Sequence, residues 1–268
     1  MAIKIHWMHR NGWDNNKHDL MKMAKFLDEA GVASVLLPYG PEGLDYLLYV
    51  PQMLNNTNNL RILIAIPAYA VSPEYVAKTF RTMVQFNGQR LDLNLVAGNY
   101  DEKRAKTILS DYPGDVSHID SHEKRVALTG PWIEKFNKIM GQGLWDVDYV
   151  SYVVGTSDAT IDIANRNTDY LIINDSMLTE ENMSRLTNTK PMLSIDPLIV
   201  DGPEDVVEYH EYHYQKVNYH TIRGTYSEVL NQIKEISNKF QIFDFIVHTD
   251  QKDLTKIFQL IKDLSKEE

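Results

Sequence analysis

The chain has 268 residues, 37 of them acidic and 27 basic, for a formal net charge of −10. That surplus of carboxylates opposes non-specific nucleic-acid binding, which rests on Lys and Arg neutralising phosphates, and opposes docking on an anionic lipid surface. With 43% hydrophobic and 24% charged residues the composition is that of a folded globular chain, and the absence of cysteine excludes disulfides, thiolate metal sites and cysteine nucleophiles.

The first strand is expected over Ile3 to Met8. Leu20, Met23, Ala24 and Leu27 follow at helical spacing, with Gly31 placed as a C-terminal stop. Val32 to Leu37 reads as a second strand closed by Pro38-Tyr39-Gly40-Pro41, Asp45 to Leu54 as helical, and Leu60 to Ile66 as a third strand ended by Pro67. Ser72-Pro73 opens the next helix with a serine cap and a proline in its first turn, and Val76, Phe80, Met83 and Val84 mark its core face. A fourth strand is expected over Leu91 to Val96, then a helix carrying Trp132, Phe136 and Ile139, a fifth strand over Tyr149 to Val154, and a helix capped by Ser157. Asp169 to Ile173 is the sixth strand, and Met192 to Val200 contains a seventh that Pro197 interrupts. Ser227 is expected to cap a helix with Val229, Leu230, Ile233 and Ile236, followed by an eighth strand over Ile242 to Val247 and a final amphipathic helix through Leu264.

Eight strands alternating with helices fit a closed (β/α)8 TIM barrel, an α/β fold of about 250 residues; a doubly wound open sheet is the competing architecture. One domain is expected over residues 1–268. The segment Met1 to Trp7 is too short and polar for a signal-peptide core, and no apolar run approaches the roughly 18 residues of a membrane span. A cytoplasmic protein without membrane or nucleic-acid partners is the expectation. The long segments 98–121 and 201–225 follow strands and belong at the C-terminal face, either as lids or as surface excursions.

The segment Val153-Val154-Gly155-Thr156-Ser157-Asp158-Ala159 runs strand, glycine, two hydroxyls, helix start. Free N–H groups and the helix dipole favour an anion there, so Gly155, Thr156 and Ser157 are candidates to hold a phosphate; an ordinary serine cap is the alternative. Asn94-Leu95-Val96-Ala97-Gly98 ends the fourth strand with small residues that let a planar ring approach the backbone, or merely supply a turn. His210, His213 and His220 have spacing compatible with metal ligation, but the stretch reads better as a solvated polar loop and no metal is assigned. His6, His9, Asp45, Asp196 and His248 fall near strand ends and suggest a polar barrel mouth, each able to transfer protons or to serve a structural hydrogen bond. The order and spacing of a Ser-His-Asp hydrolase, a P-loop and a dinucleotide GxGxxG are all absent.

Between Pro38 and Gly98, the run Pro38-Tyr39-Gly40, Asp45, Arg61-Ile62-Leu63-Ile64-Ala65, Ser72-Pro73, Gly88-Gln89-Arg90 and Leu93-Asn94-Leu95-Val96-Ala97-Gly98 resembles the alkanesulfonate monooxygenase branch of the bacterial-luciferase-like flavin monooxygenases. Gly155-Thr156-Ser157 is similar to that family's Gly-Gly-Ser-Ser flavin-phosphate turn, and Arg223-Gly224-Thr225 before Ser227-Glu228-Val229 to the entry of its penultimate helix. The likeness spans nearly the whole chain, strongly over the first 100 residues and loosely after 175. It implies a compact (β/α)8 barrel, FMN supplied reduced by a partner flavin reductase, O2 as cosubstrate, a small organic substrate and a homo-oligomer, dimer or tetramer. Carried over by position, Ala65, Asn94, Val96, Ala97 and Gly98 would line the flavin ring, Gly155, Thr156 and Ser157 would hold its phosphate, and Arg125 would pair with that phosphate. His9, Asn11 and Asp196 would polarise oxygen or substrate.

Departures from the family fall at its reactive positions. Its early histidine is replaced by Asn11, its sulfonate-branch cysteine falls at Gly43, and its arginine and histidine of the seventh strand give way to neighbours of Asp196, including Ser194. Flavin binding is therefore better supported than sulfonate oxidation, which would need a cation in the pocket. A flavin-binding protein without catalysis and a deazaflavin F420-dependent oxidoreductase are the alternatives.

Overall fold

Along the strands, side chains alternate between two apolar clusters, the period-two signature of a sheet covered on both faces. In the third strand, Ile62, Ile64 and Ile66 join a large cluster with the helices, whereas Leu63 and Ala65 join a small inner one with Leu36, Tyr152, Ile172, Met192 and Ile246. The computed structural model describes residues 2–9, 17–39, 45–98, 117, 119–142, 147–200, 220–248 and 254–266. Its strands are β1 Lys4–Met8, β2 Ser34–Leu37, β3 Arg61–Pro67, β4 Leu91–Val96, β5 Ser151–Val154, β6 Tyr170–Ile173, β7 Lys190–Ile199, β8 His220–Gly224 and β9 Asp244–Val247. Its helices are α1 Lys17–Glu29, α2 Val50–Asn55, α3 Pro73–Asn87, α4 His122–Gly141, α5 Asp158–Asn167, α6 Glu180–Ser184, α7 Tyr226–Phe240 and α8 Thr255–Ser265.

Strands β1 to β7 pair in sequence, β7 pairs with β9, and β9 returns to β1, all parallel. Eight strands thus close a (β/α)8 barrel, and the open-sheet alternative is excluded. The expected eighth strand is β9; β8 is an extra strand inside the segment expected to be a long loop. The helix expected over Asp45 to Leu54 is divided into a 3-10 turn, Tyr46–Leu48, and α2.

Strand β7 runs straight through Pro197 rather than stopping there. The bonds Lys190 N–H to Asp169 O and Val200 N–H to Gly224 O place the even-numbered peptide groups on one edge, which β6 occupies first and β8 afterwards. Pro191 and Pro197 are odd-numbered and face the β9 edge, where pairing begins at Met192 and ends at Ile195. Each proline therefore lies where β9 offers no acceptor, and its missing N–H costs no ladder bond.

Polar side chains fill the N-terminal end of the barrel. Arg61, at the start of β3, donates from Nε and Nη2 to Asp92 at 2.8 and 2.6 Å, and Asp92 also accepts the Val150 N–H at 2.8 Å. His6 lies 2.7 Å from Ser34 Oγ through Nδ1 and 3.1 Å from Asp244 through Nε2, and Tyr170 OH donates to the other Asp244 oxygen at 3.3 Å. Ser34, Asp244 and Tyr170 each begin a strand, so His6 belongs to the floor of the barrel and not to its mouth. Tyr152 stacks on Tyr170 at 4.9 Å, and burial pushes both phenols well above the ordinary tyrosine range.

Caps fix the helices. Ser72 and Ser157 accept the Tyr75 and Thr160 N–H groups, as their positions ahead of the apolar runs predict. The cap of α7 is Thr225, two residues before the expected Ser227, because Glu228 reaches back to accept both the Thr225 N–H and hydroxyl at 2.7 and 2.9 Å. Gly224 precedes it with φ +143, and a Cβ there would lie 2.6 Å from Glu228 Oε2 and 2.9 Å from Glu228 Cβ. Gly224→Ala is expected to displace Glu228 and cost about 1–2 kcal/mol through strain and a lost cap, seen as a lower urea midpoint with an unchanged slope.

Candidate active site at the barrel mouth

Four inward positions define the rim above Leu63, Tyr152 and Met192. Ala65 on β3, Val96 on β4, Val154 on β5 and Ile172 on β6 present small or apolar side chains, and Val154 is 41% exposed there. Asn94, inward on β4 between Ala65 and Tyr152, is 2% exposed, and its Oδ1 has no hydrogen-bond partner among the described residues. A buried acceptor left unmade costs about 1–3 kcal/mol, so the position is suited to a guest that brings a donor.

Beyond β4, Ala97 and Gly98 are partly exposed and anchored from α4. Arg125, buried in the first turn of α4, donates to the carbonyls of Ala97, Ile119 and Gly98 at 2.8, 3.1 and 3.3 Å. These bonds set the shape of the strand end, and direct their donors at backbone carbonyls.

Beyond β5 the chain turns at Gly155 (φ +148) into α5, and a Cβ on Gly155 would meet Thr160 Cγ2 and Oγ1 at 3.0 Å. Only a bare Cα lets the strand end and the helix start come this close. Ser157 Oγ accepts the Thr160 N–H at 3.2 Å and lies 2.8 Å from Thr160 Oγ1, while Thr156 is exposed. Helix geometry leaves the Asp158 and Ala159 N–H groups without intrahelical acceptors at the same spot. Arg185, just past α6, donates to Asp158 Oδ1 at 2.6 Å and brings a guanidinium to this turn. Nothing in the local sequence signals that arginine, 27 residues away along the chain.

The opposite wall is polar. Asp196 and Ser194 follow Met192 on the inner face of β7, His248 follows Ile246 beyond β9, and all three are buried. His9, just past β1, is buried too, and desolvation of its cation lowers its pKa. Asp45 is exposed and accepts the Leu47 N–H at 3.0 Å. Asn11, Gly43, His210 and His213 lie outside the described residues, as does the side chain of His220.

The lowered pKa of His9 has a sign. Unfolded histidine takes up its proton near pH 6.5 while folded His9 stays neutral to lower pH, so the unfolded state binds more protons in that window. Stability contributed by neutral His9 is complete above about pH 6.5 and falls as pH drops toward the folded pKa. His9→Gln is expected to flatten this acid limb, measured as urea midpoints between about pH 7.5 and 5.

A polar groove of about 580 Å³ opens at the other end of the barrel, lined by residues such as Asn137, Tyr149, Asn165 and Asp169. Its polar atoms largely satisfy one another: Tyr149 OH donates to Asn137, Asn165 to Arg185 O and Ser151 to Asp169. Burial and the Asp169 charge push the Tyr149 phenol up to about 12.

A flavin mononucleotide fits the residues at the mouth: a small-residue wall, a buried acceptor awaiting a donor, and a helix start with a bare Cα. No helix of the described residues is long and apolar enough to cross a membrane. No protein-family model matches the sequence. Among solved structures, EDTA monooxygenase from Chelativorans sp. BNC1 superposes with a TM-score of 0.76 at 11% identity, covering 98% of this chain and 93% of that one. The oxygenating constituent of 3,6-diketocamphane monooxygenase from Pseudomonas putida, in complex with FMN, gives 0.70 at 14% identity over 100% and 98%. Coenzyme F420 dependent tetrahydromethanopterin reductase from Methanopyrus kandleri gives 0.65 at 12% over 100% and 98%. The chain has the (β/α)8-barrel fold of these enzymes.

Proposed function

We propose that the chain is a flavin-dependent monooxygenase of the luciferase-like kind, using reduced FMN from a partner reductase and O2 on a small organic substrate, as a homodimer or tetramer. One observation carries the reading: the unpartnered buried Oδ1 of Asn94 and the open helix start at Gly155 to Ser157 lie on adjacent strands at the C-terminal mouth of one barrel. Ala65, Val96, Ala97 and Gly98 form the seat for the ring, with Asn94 accepting a hydrogen bond from it. Gly155, Thr156, Ser157 and the first N–H groups of α5 hold the phosphate, beside the Arg185–Asp158 ion pair. When bound, FMN supplies the redox chemistry and activates O2. The protein excludes water and positions the substrate, and His9, Asp196 and Asn11 are the candidates for polarising it. The fold shared with FMN and F420 enzymes supports this reading, and the same turn suits the F420 phosphate.

Titration with FMN is expected to change its absorption spectrum with a Kd on the order of 1 μM, and no change at about 100 μM would overturn the reading. F420 titrated in parallel separates the two cofactors by affinity. Asn94→Leu is expected to leave the empty protein as stable or more stable, since it removes an unsatisfied acceptor, while weakening FMN about 10-fold. An Asn94→Leu protein with unaltered FMN affinity would remove Asn94 from the site.

A further inference from the structure

The groove at the end of the barrel opposite the mouth is built around a rigid clamp. Ser151, at the start of β5, donates to Asp169 Oδ2 from its backbone N–H at 2.9 Å and from its hydroxyl at 2.7 Å. Its Oγ accepts the Asp169 N–H at 3.2 Å in return. Asp169 Oδ2 is thereby engaged, whereas Oδ1 makes no hydrogen bond among the described residues. The Lys190 N–H donates to Asp169 O at 2.9 Å, which sets Asn188 beside the start of β6. Asn165 is committed to Arg185 O and the Thr187 N–H, but the carboxamide of Asn188 makes no hydrogen bond among the described residues. Tyr149 OH donates to Asn137 and keeps a lone pair for a further donor. All three side chains line the same cavity of about 580 Å³.

We propose that this groove is a second binding site, for a sugar or other polyol, with Asp169 and Asn188 recognising a pair of adjacent hydroxyls. A hydroxyl both donates and accepts, and the two free groups match that pair. Asp169 Oδ1, acceptor only, takes the proton of one hydroxyl in a charge-assisted bond. The Asn188 carboxamide donates to the oxygen of one hydroxyl and accepts the proton of the other. The rest of the lining excludes other guests. No aliphatic residue lines the cavity, so a hydrocarbon gains little there. An anion meets the Asp169 charge, and the one lining cation, Arg166, is 71% exposed beside Asp162. The volume lies within the roughly 300–1,000 Å³ of small-molecule sites. None of these residues belongs to the mouth, so the site stands or falls independently of the flavin reading.

The test uses the full chain labelled with 15N and follows the backbone N–H signal of Ser151, which reports on Asp169. D-glucose and the minimal diol trans-cyclohexane-1,2-diol are expected to shift that signal saturably, with millimolar affinity. Cyclohexanol, with a single hydroxyl, should bind about 10-fold more weakly, the loss of one hydrogen bond. Asn188→Ala removes a side chain that makes no hydrogen bond in the fold, so the variant should keep its melting temperature while its response to the diol weakens about 10-fold. Four results would each overturn the site: no saturable shift, an equal response to cyclohexanol, an equal response to inorganic phosphate, or an undiminished diol response in Asn188→Ala.

Discussion

Replacing Ser157 with aspartate is expected to leave the fold intact and to weaken FMN binding by about 100-fold or more, roughly 2.7 kcal/mol. The structural role of Ser157 is to accept the Thr160 N–H at the start of α5. Aspartate caps a helix as well as serine and interacts favourably with the N-terminal dipole, so the melting temperature should hold or rise slightly. The proposed binding role is the opposite case, because a carboxylate where phosphate is to sit adds like-charge repulsion in a partly desolvated turn. Riboflavin, which lacks the phosphate, provides the internal control. Its affinity is expected to change by less than about 3-fold, since only the phosphate interaction is altered. A Ser157→Asp protein that binds FMN normally would show that Ser157 is a helix cap and nothing more.

Asp92→Ala should be among the most destabilising single changes in the molecule, at about 3–5 kcal/mol. It removes the carboxylate that accepts two bonds from Arg61 and one from the Val150 N–H, inside the floor of the barrel. Arg61 side-chain exposure is 27%, so its stranded charge retains some water and the lower end of that range is expected. The Arg61→Met, Asp92→Leu pair should recover much of the loss, because removing both charges also removes their desolvation cost. Urea midpoints of the wild type, the single variant and the pair decide this. A single variant within about 0.5 kcal/mol of wild type would mean that water replaces the ion pair freely.

Much of the fold is legible in the sequence where the information is local. Gly31 falls just past α1, Ser72-Pro73 and Ser157 open α3 and α5, and each barrel strand overlaps the segment expected for it, with ends shifted by up to two residues. Strand β8 is not legible, because it pairs with β7 alone and its sequence, His220-Thr221-Ile222-Arg223-Gly224, carries a single aliphatic residue, too little for a pattern. Pro197 misleads for a related reason: a proline is tolerated in a strand wherever its edge lacks a partner, which depends on where β9 ends. For the candidate site, the turn at Gly155 and the small residues after β4 are visible as motifs. Arg185 beside Asp158, Ser194 beside His248 and His6 beside Asp244 are not, being 27, 54 and 238 residues apart. Side-chain pairs of that separation arise only once neighbouring strands have paired.

The way β7 changes neighbours also shapes the entrance. Its residue Ile195 pairs with Val247, the last of β9, yet β7 continues to Ile199 with β8 taking over the edge that β6 has left. Four further steps at about 3.3 Å each raise a parapet roughly 10 Å high on that flank once strand tilt is allowed for. A flat guest leaning on such a parapet turns one side to it and the other away. If the mouth holds a flavin as proposed, a substrate arriving over the β7 flank would meet one face of the ring, and the backbone would set the handedness of attack.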